Sequence, residues 1–388
     1  MRLLHVYDHD YLCHDDAIFS SGAFSRDVWS RYLDAFDRLT VVANRRESTP
    51  LDVDGLSRVD RERVDFRFLP KVRTPRRMLS GLLGRNAELA ALVREADAVA
   101  VRLTSELGYQ AAAFAKRYGK PLAVEAVDCP WDAYTSHSVL GNLIAPLAWW
   151  RMRRALASAD FALYVTEHFL QGRYPSSGVT ANASNVTLID TEPAGAREWS
   201  NERELRIGLV GNCDVRLKGH RVLLDAFAPL AAHSPRTQLV FIGGGDRAAL
   251  SEEIQRRRLG EQVVFEGRVT AGSPMMAMLD TIDVYVHPSF KEGLPRAVIE
   301  AMSRGCPVLA SRAGGTAELL PKSCLHKPGD ARALGSQLER LLADPEVRRR
   351  LGAENVATAR RYQPEVLEER RRDFWQRFAR YSADSRGE

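Results

Sequence analysis

His287-Pro-Ser-Phe-Lys-Glu292-Gly-Leu-Pro295-Arg-Ala-Val-Ile-Glu300-Ala-Met-Ser-Arg-Gly305-Cys-Pro307-Val-Leu-Ala-Ser311 reads as a strand end, a loop, a helix and a second strand. Pro295 suits the first helical position, where its missing N–H costs nothing. Gly305 suits a left-handed cap, and Pro307 prevents the helix from continuing. Glu292 therefore stands just before a helix N-terminus, and Glu300 lies about 7.5 Å along the helix from Pro295 at 1.5 Å per residue. Carboxylates so spaced can hydrogen-bond two separate groups of one ligand. The free N–H groups and the dipole at the helix start favour an anion between them. Sugar hydroxyls beside a phosphate fit this geometry. The plainer reading makes Glu292 a helix-entry charge and Glu300 a solvated one.

Outward from this stretch, strand and helix signals alternate on both sides. Strands are expected at Leu205–Val210, Gln238–Ile242, Val263–Glu266, Val284–His287 and Pro307–Ala310. Helices are expected at Gly219–Leu230, Arg247–Arg257, Met275–Thr281 and Pro295–Arg304, with further arginine-rich helical stretches over Pro345–Tyr381. The polar stretch 191–204 reads as a linker. Before it, strands are expected at Leu3–Tyr7, Thr40–Ala43, Val64–Leu69, Ala98–Leu103, Pro121–Val127 and Phe161–Val165. Helices are expected at Arg26–Leu39, Asn86–Ala96, Leu107–Tyr118, Ala148–Ala159 and Glu167–Tyr174, with a loop after Tyr7. Such alternation implies two α/β domains, each a doubly wound parallel sheet, with a cleft between them at the strand carboxyl ends.

The chain has 388 residues, 45% hydrophobic and 27% charged, an ordinary globular composition that argues against long disorder. No run of about 18 apolar residues exists, which excludes a spanning helix. The start, MRLLHVYDHDYLCHDD, lacks the apolar region of a secretory signal, so a cytoplasmic protein is expected. Five scattered cysteines without a C-x-x-C exclude the usual zinc spacings and make a disulfide framework a poor fit. A net charge of +5 is too small over this length to argue for nucleic acid.

Two turns support the main motif. Gly211-Asn212-Cys-Asp-Val-Arg216-Leu-Lys218-Gly219 puts a cation at a helix start, where it can offset charge growing on a diphosphate leaving group. Both cations could equally be exposed loop residues. Gly243-Gly244-Gly245-Asp-Arg-Ala248, with Glu266 further on, matches a dinucleotide fingerprint, but in the second unit of its domain.

The sequence HPSFKEGLPRAVIEAMSRGCPVLASRAGGTAELL resembles the donor-binding signature of retaining glycosyltransferases of family 4, which share the GT-B fold. The resemblance is specific over 205–325 and weak elsewhere. It implies that Glu292 contacts the donor sugar, that backbone around Gly293, Leu294 and Pro295 contacts sugar or phosphate, and that Glu300 holds the ribose hydroxyls. It brings Gly315 and Gly244 close to the nucleotide, Arg268 and Val269 to the base, and Gly211, Asn212, Arg216 and Lys218 to the phosphates. Similar turns carry an Arg about five residues before the Lys; Cys213 stands there, and Arg216 is the nearest arginine. Gly22 matches a glycine loop that relatives place against the donor phosphates.

The resemblance further implies an N-terminal acceptor-side domain (1–195), a C-terminal nucleotide-sugar domain (196–365), and a last helix (366–388) packing back toward the first. Glu125-Ala-Val-Asp128-Cys-Pro-Trp131-Asp132 resembles an acidic Pro-Trp-Asp turn of some bacterial polysaccharide transferases. Asp132, Asp128 and Glu125 are candidates to orient the acceptor; Asp128 or Asp132 could instead cap a turn. His137 reads as a loop residue. Two basic–apolar stretches, Lys71–Arg85 and Leu143–Arg154, could contact an anionic membrane or pack leucines and tryptophans inward.

The expected function is retaining transfer of a hexose from a UDP or GDP sugar to a saccharide or lipid-linked acceptor in surface polysaccharide biosynthesis. No cofactor or metal is expected, since Asp8-His-Asp10 and Asp52-Val-Asp54 both fall in the first domain. A nucleotide-sugar epimerase, a nicotinamide-dependent oxidoreductase and a non-catalytic lipid or nucleic-acid binder remain alternatives.

Overall fold

The computed structural model describes residues 1–15, 17–20, 24, 26–47, 56–70, 86–135, 139–189 and 197–385. Gly22, His137, the Lys71–Arg85 stretch and Asp52-Val-Asp54 lie outside the described residues. The chain forms two compact units. The first comprises Met1–Tyr134, Val139–Asn185 and Glu368–Glu388; the second comprises Thr135–Ser138 and Val186–Leu367.

The first unit holds strands β1 (Arg2–His14), β2 (Ala17–Ser20), β3 (Arg38–Glu47), β4 (Ser57–Arg58), β5 (Val64–Phe68), β6 (Ala98–Leu103), β7 (Leu122–Ala126), β8 (Phe161–Tyr164) and β9 (Val179–Asn182). Its helices are α1 (Ser30–Leu33), α2 (Ala87–Glu95), α3 (Glu106–Arg117), α4 (Pro130–Thr135), α5 (Val139–Ala157) and α6 (Phe169–Arg173). The parallel pairing runs β5-β3-β1-β6-β7-β8-β9, with β2 antiparallel to the far end of β1 and β4 antiparallel to β2. Central strands such as Ala98–Val101 and Leu122–Ala126 are buried residue after residue, as a sheet covered on both faces requires.

Two expectations are corrected here. The strand starting at Leu3 does not stop at Tyr7 but runs to His14, bulges between Val6 and Asp10, and turns back as β2. Polar residues continue the strand because they have distant partners: the Asp8 carboxylate accepts the Glu106 and Leu107 N–H groups and so caps α3. The helix expected over Arg26–Leu39 is a 3₁₀ turn followed by the short α1. The Arg63 guanidinium takes the carbonyls of Leu33, Phe36 and Asp37, and Leu39 enters β3 opposite Leu3 and Val64.

The second unit is a six-stranded parallel sheet of β10 (Leu205–Val210), β11 (Thr237–Ile242), β12 (Val263–Gly267), β13 (Val284–His287), β14 (Val308–Ser311) and β15 (Leu325–His326). Its helices are α7 (His220–Ala231), α8 (Ala248–Arg256), α9 (Ser273–Asp280), α10 (Arg296–Ser303), α11 (Ala331–Ala343) and α12 (Pro345–Ala359). The strand order β12-β11-β10-β13-β14-β15 reverses direction between β10 and β13. In open α/β sheets ligands bind beyond the strand carboxyl ends at such a switch point. From Glu368 on, the last helix, α13 (Pro364–Asp384), belongs to the first unit, where its Phe374, Trp375 and Phe378 meet Phe161, Tyr32 and Phe36. All five cysteines are free thiols. The fold class is α/β with two Rossmann-like units, as the alternation implies.

Candidate active site

Beyond the carboxyl ends of β10 and β13, two loops are stitched together by backbone. The Phe290 N–H donates to the Leu217 carbonyl at 2.8 Å, and Ser289 Oγ donates to the same carbonyl at 3.0 Å. Gly219 sits at φ +78°, and a Cβ there would lie 2.2 Å from the Pro288 carbonyl oxygen. Only glycine permits both that backbone and that approach. A third loop closes in at Gly314, whose φ is +56° and whose added Cβ would stand 1.9 Å from the Glu292 carbonyl oxygen. The Gly315 N–H donates to the Gly293 carbonyl at 2.7 Å, so it braces the loop.

This stitching brings together side chains from three segments. Lys218 Nζ and His287 Nε2 each lie 2.8 Å from Glu292 Oε1. The Tyr285 hydroxyl is 3.3 Å from His287 Nδ1. Burial pushes the Glu292 carboxyl up, but His287 and Lys218 outweigh it and hold the group well below the usual carboxylate range. Both contacts go to Oε1, and Oε2 has no protein partner among the described residues. A fixed, ionised carboxylate with one oxygen left over can accept a hydroxyl.

Glu300 differs. It is half-buried one helical stretch further on, and its carboxylate has no hydrogen-bond or ion-pair partner among the described residues. Burial raises its pKa, with Arg296 opposing in part. Between the two acids, α10 starts at Arg296; Pro295 is its extended N-cap rather than its first helical residue, and no side chain caps the helix. The N–H groups of Gly293 and Leu294 donate to no acceptor among the described residues. These orphan donors and the helix dipole favour an anion.

The other expected residues fall around the same sheet end. Lys218 lies in a 3₁₀ turn (Arg216–Lys218) before α7, not on the helix itself. Gly211 packs on the Lys218 stem, where an added Cβ would be 2.9 Å away. Asn212 and Arg216 are exposed, and Arg216 has no acidic partner among the described residues. Gly244, Arg268 and Val269 follow β11 and β12, and a Cβ on Gly244 would be 3.8 Å from the Arg268 Cβ. Glu266, the acid of the dinucleotide reading, is paired with Arg206 at 2.7 Å.

In the first unit, the Pro-Trp-Asp segment is the helix α4 rather than a turn, with Pro130 at its start. Asp132 is held by Arg173 at 2.7 Å, and Asp128 accepts the Cys129 N–H at 2.8 Å. Glu125 is buried, hydrogen-bonded by Tyr32 and ion-paired with Arg102 at 2.7 Å. Burial alone would raise its pKa, but Arg102 leads the groups that reverse this and lower it. Glu125 is therefore a buried structural charge. Sequence reading missed His287 as a partner of Glu292, and Tyr285 as the partner of His287. Their signal was present: they alternate on one strand face beside the motif.

Residues 204–344 match the family model for glycosyl transferases group 1. The chain is similar to Protein CapJ of Staphylococcus aureus, 27% identical over 95% of this chain and 93% of that protein. It is also similar to 2-deoxystreptamine glucosyltransferase of Streptomyces kanamyceticus, 28% identical over 78% of this chain and 86% of that one. Among solved structures, the UDP complex of Anabaena Alr3699/HepE has a TM-score of 0.66 at 18% identity, covering 95% of this chain and 98% of that chain. Together with the two Rossmann-like sheets, these findings place the fold with GT-B.

Proposed function

We propose that this chain, a glycosyltransferase of the group 1 type with a GT-B fold, transfers a hexose with retention from a UDP or GDP sugar to a saccharide acceptor. We assign that acceptor to the first unit, as lipid-linked material for surface polysaccharide assembly on the cytoplasmic side of a membrane. The observation that carries the donor half of this reading is the Lys218–Glu292–His287 cluster beside the open N-terminus of α10. Similarity to a glucosyltransferase and to a UDP-bound structure supports the donor class.

In this scheme Glu292 Oε2 accepts a donor-sugar hydroxyl, and the unpartnered Glu300 accepts the ribose hydroxyls. The Gly293 and Leu294 amides and the α10 dipole hold the diphosphate. Lys218, with Arg216 nearby, offsets the charge that grows as the anomeric C–O bond to phosphate breaks. The acceptor oxygen bonds the anomeric carbon from the face the diphosphate leaves, and its proton passes to a diphosphate oxygen. The residues named supply the positive charge, so the scheme needs neither a metal nor an enzymic nucleophile. Asp128 and Asp132 are the acceptor-side candidates.

Thermal denaturation against UDP, GDP, ADP and NAD tests the donor class. At 100-fold saturation a ligand specific for the folded state adds about 2.7 kcal/mol, enough to raise Tm by several degrees. UDP or GDP should do so. A shift with NAD alone would replace this reading by the oxidoreductase.

Glu300→Gln should separate binding from stability. A carboxyl whose folded pKa is raised binds more protons folded than unfolded, so its contribution to stability falls as pH rises from the unfolded value of about 4.3 toward the folded one. The Gln variant should therefore melt higher than the wild type at neutral pH, with the advantage vanishing in acid. It should bind the nucleotide about tenfold more weakly or worse, having lost a charged hydroxyl acceptor. Unchanged affinity would remove Glu300 from the site.

A further inference from the structure

Helix α5 presents an apolar face that the described residues leave exposed. Leu143 is 76% exposed, Leu147 47% and Trp150 48%, with Ile144 beside them. Positions 143, 147 and 150 follow the helical i, i+4, i+7 spacing, so they form one stripe. Their hydrophobic neighbours do turn inward: Ala145, Ala148 and Met152 are buried. The stripe is therefore a second face and not a misplaced core. Exposed apolar side chains gathered in this way mark a contact surface.

Alongside the stripe, α3 and α5 enclose a groove of about 340 Å³ whose lining includes Lys116, Trp150, Arg151 and Arg154. Arg151 is neutralised by Glu106 in a two-pronged pair at 2.7 Å. Lys116 and Arg154 are exposed and have no acidic partner among the described residues. The Arg154 guanidinium lies over the Trp150 ring at 5.3 Å, and Arg153 lies over Trp149 at 4.8 Å. Cations flanking an apolar stripe, with an indole at the boundary, match a lipid–water interface. No helix among the described residues is long and apolar enough to cross a membrane, so the contact would be peripheral.

We infer that the α3–α5 face docks on an anionic phospholipid bilayer, with Leu143, Ile144, Leu147 and Trp150 entering the acyl boundary and Lys116 and Arg154 holding lipid phosphates. Charge complementarity selects this occupant: a protein partner would need acids to meet the two unpaired cations, and a neutral bilayer would leave them unused. The inference deepens the lipid-linked acceptor reading and rests on it for its purpose. It is measured without turnover, so either can fail alone.

Sedimentation of the full chain with vesicles of phosphatidylcholine, with and without phosphatidylglycerol, tests it. The wild type should partition onto the anionic vesicles, less so as salt rises, with a blue shift of tryptophan fluorescence. The pair K116E/R154E should bind at least about tenfold more weakly, since each cation near the surface is lost and reversed. The pair L143S/L147S should also bind weakly but keep the salt dependence. Both pairs alter exposed side chains, so unchanged melting curves and unchanged nucleotide binding confirm folded protein. Equal binding to neutral and anionic vesicles, no vesicle binding by the wild type, or wild-type binding by both variants overturns the inference. Transfer to a soluble acceptor with no vesicle binding would sink this docking face alone, whereas vesicle binding with no sugar transfer would sink the functional reading alone.

Discussion

Glu292→Gln lowers kcat for sugar transfer by about a hundredfold to a thousandfold, the range expected when one preorganised electrostatic contact is removed. In the wild type, Oε1 is held by Lys218 and His287, so Oε2 stays charged and fixed. A Gln amide keeps one acceptor oxygen. If that oxygen faces His287 and Lys218, an NH₂ donor replaces the acceptor that the sugar hydroxyl needs. If it faces the sugar, an NH₂ group meets two cationic or donor neighbours. Either orientation breaks one side of the arrangement. The stability consequence has a definite sign. A carboxyl held below its ordinary pKa contributes stability above the unfolded value, about 4.3, and loses it as pH falls through the folded value. The Gln variant should therefore melt lower than the wild type at neutral pH, with the gap closing in acid. Steady-state kinetics and melting curves across pH check both parts. Unchanged rate and donor affinity would exclude Glu292 from the site.

Lys218→Met should cost about as much, a hundredfold to a thousandfold in kcat, with a smaller effect on donor affinity. The ammonium is assigned to charge that develops as the diphosphate departs, so its loss falls mainly on the transition state. Met keeps the aliphatic stem against Gly211, which separates charge from packing. Removing Lys218 also takes away one of the two groups that depress Glu292, leaving His287. The acid limb of the pH–rate profile should then move toward higher pH. Because the two side chains share one hydrogen bond, the double variant K218M/E292Q should lose less than the product of the single losses. Fully multiplicative losses would mean that the pair does not act as a unit.

Much of the second unit was legible from its residues. Strands β13 and β14 are buried at every residue, so they read as short, mostly apolar runs. Pro295 and Gly305 punctuate α10 by backbone chemistry that is local to them. The first unit was harder. The far half of β1 carries Asp8, His9 and Asp10 and looked like a loop, since nothing nearby in the chain reveals that Asp8 caps α3. The two-residue strand β15 has too few side chains to show a period.

From the residues alone follow the alternation of strands and helices, the two-domain organisation, and the placing of Glu292 and Lys218 just before helices and of Glu300 within α10. Those features depend on spacing, backbone restriction and burial pattern, all written along the chain. Which acids are free was decided only in three dimensions. Glu125, Asp132 and Glu266 are neutralised by Arg102, Arg173 and Arg206, which reach them from other strands and helices. Glu292 is locked by Lys218 and His287, while Glu300 is left without a partner. A charge is tuned by its spatial neighbours, and chain folding brings those neighbours from positions that local patterning does not connect.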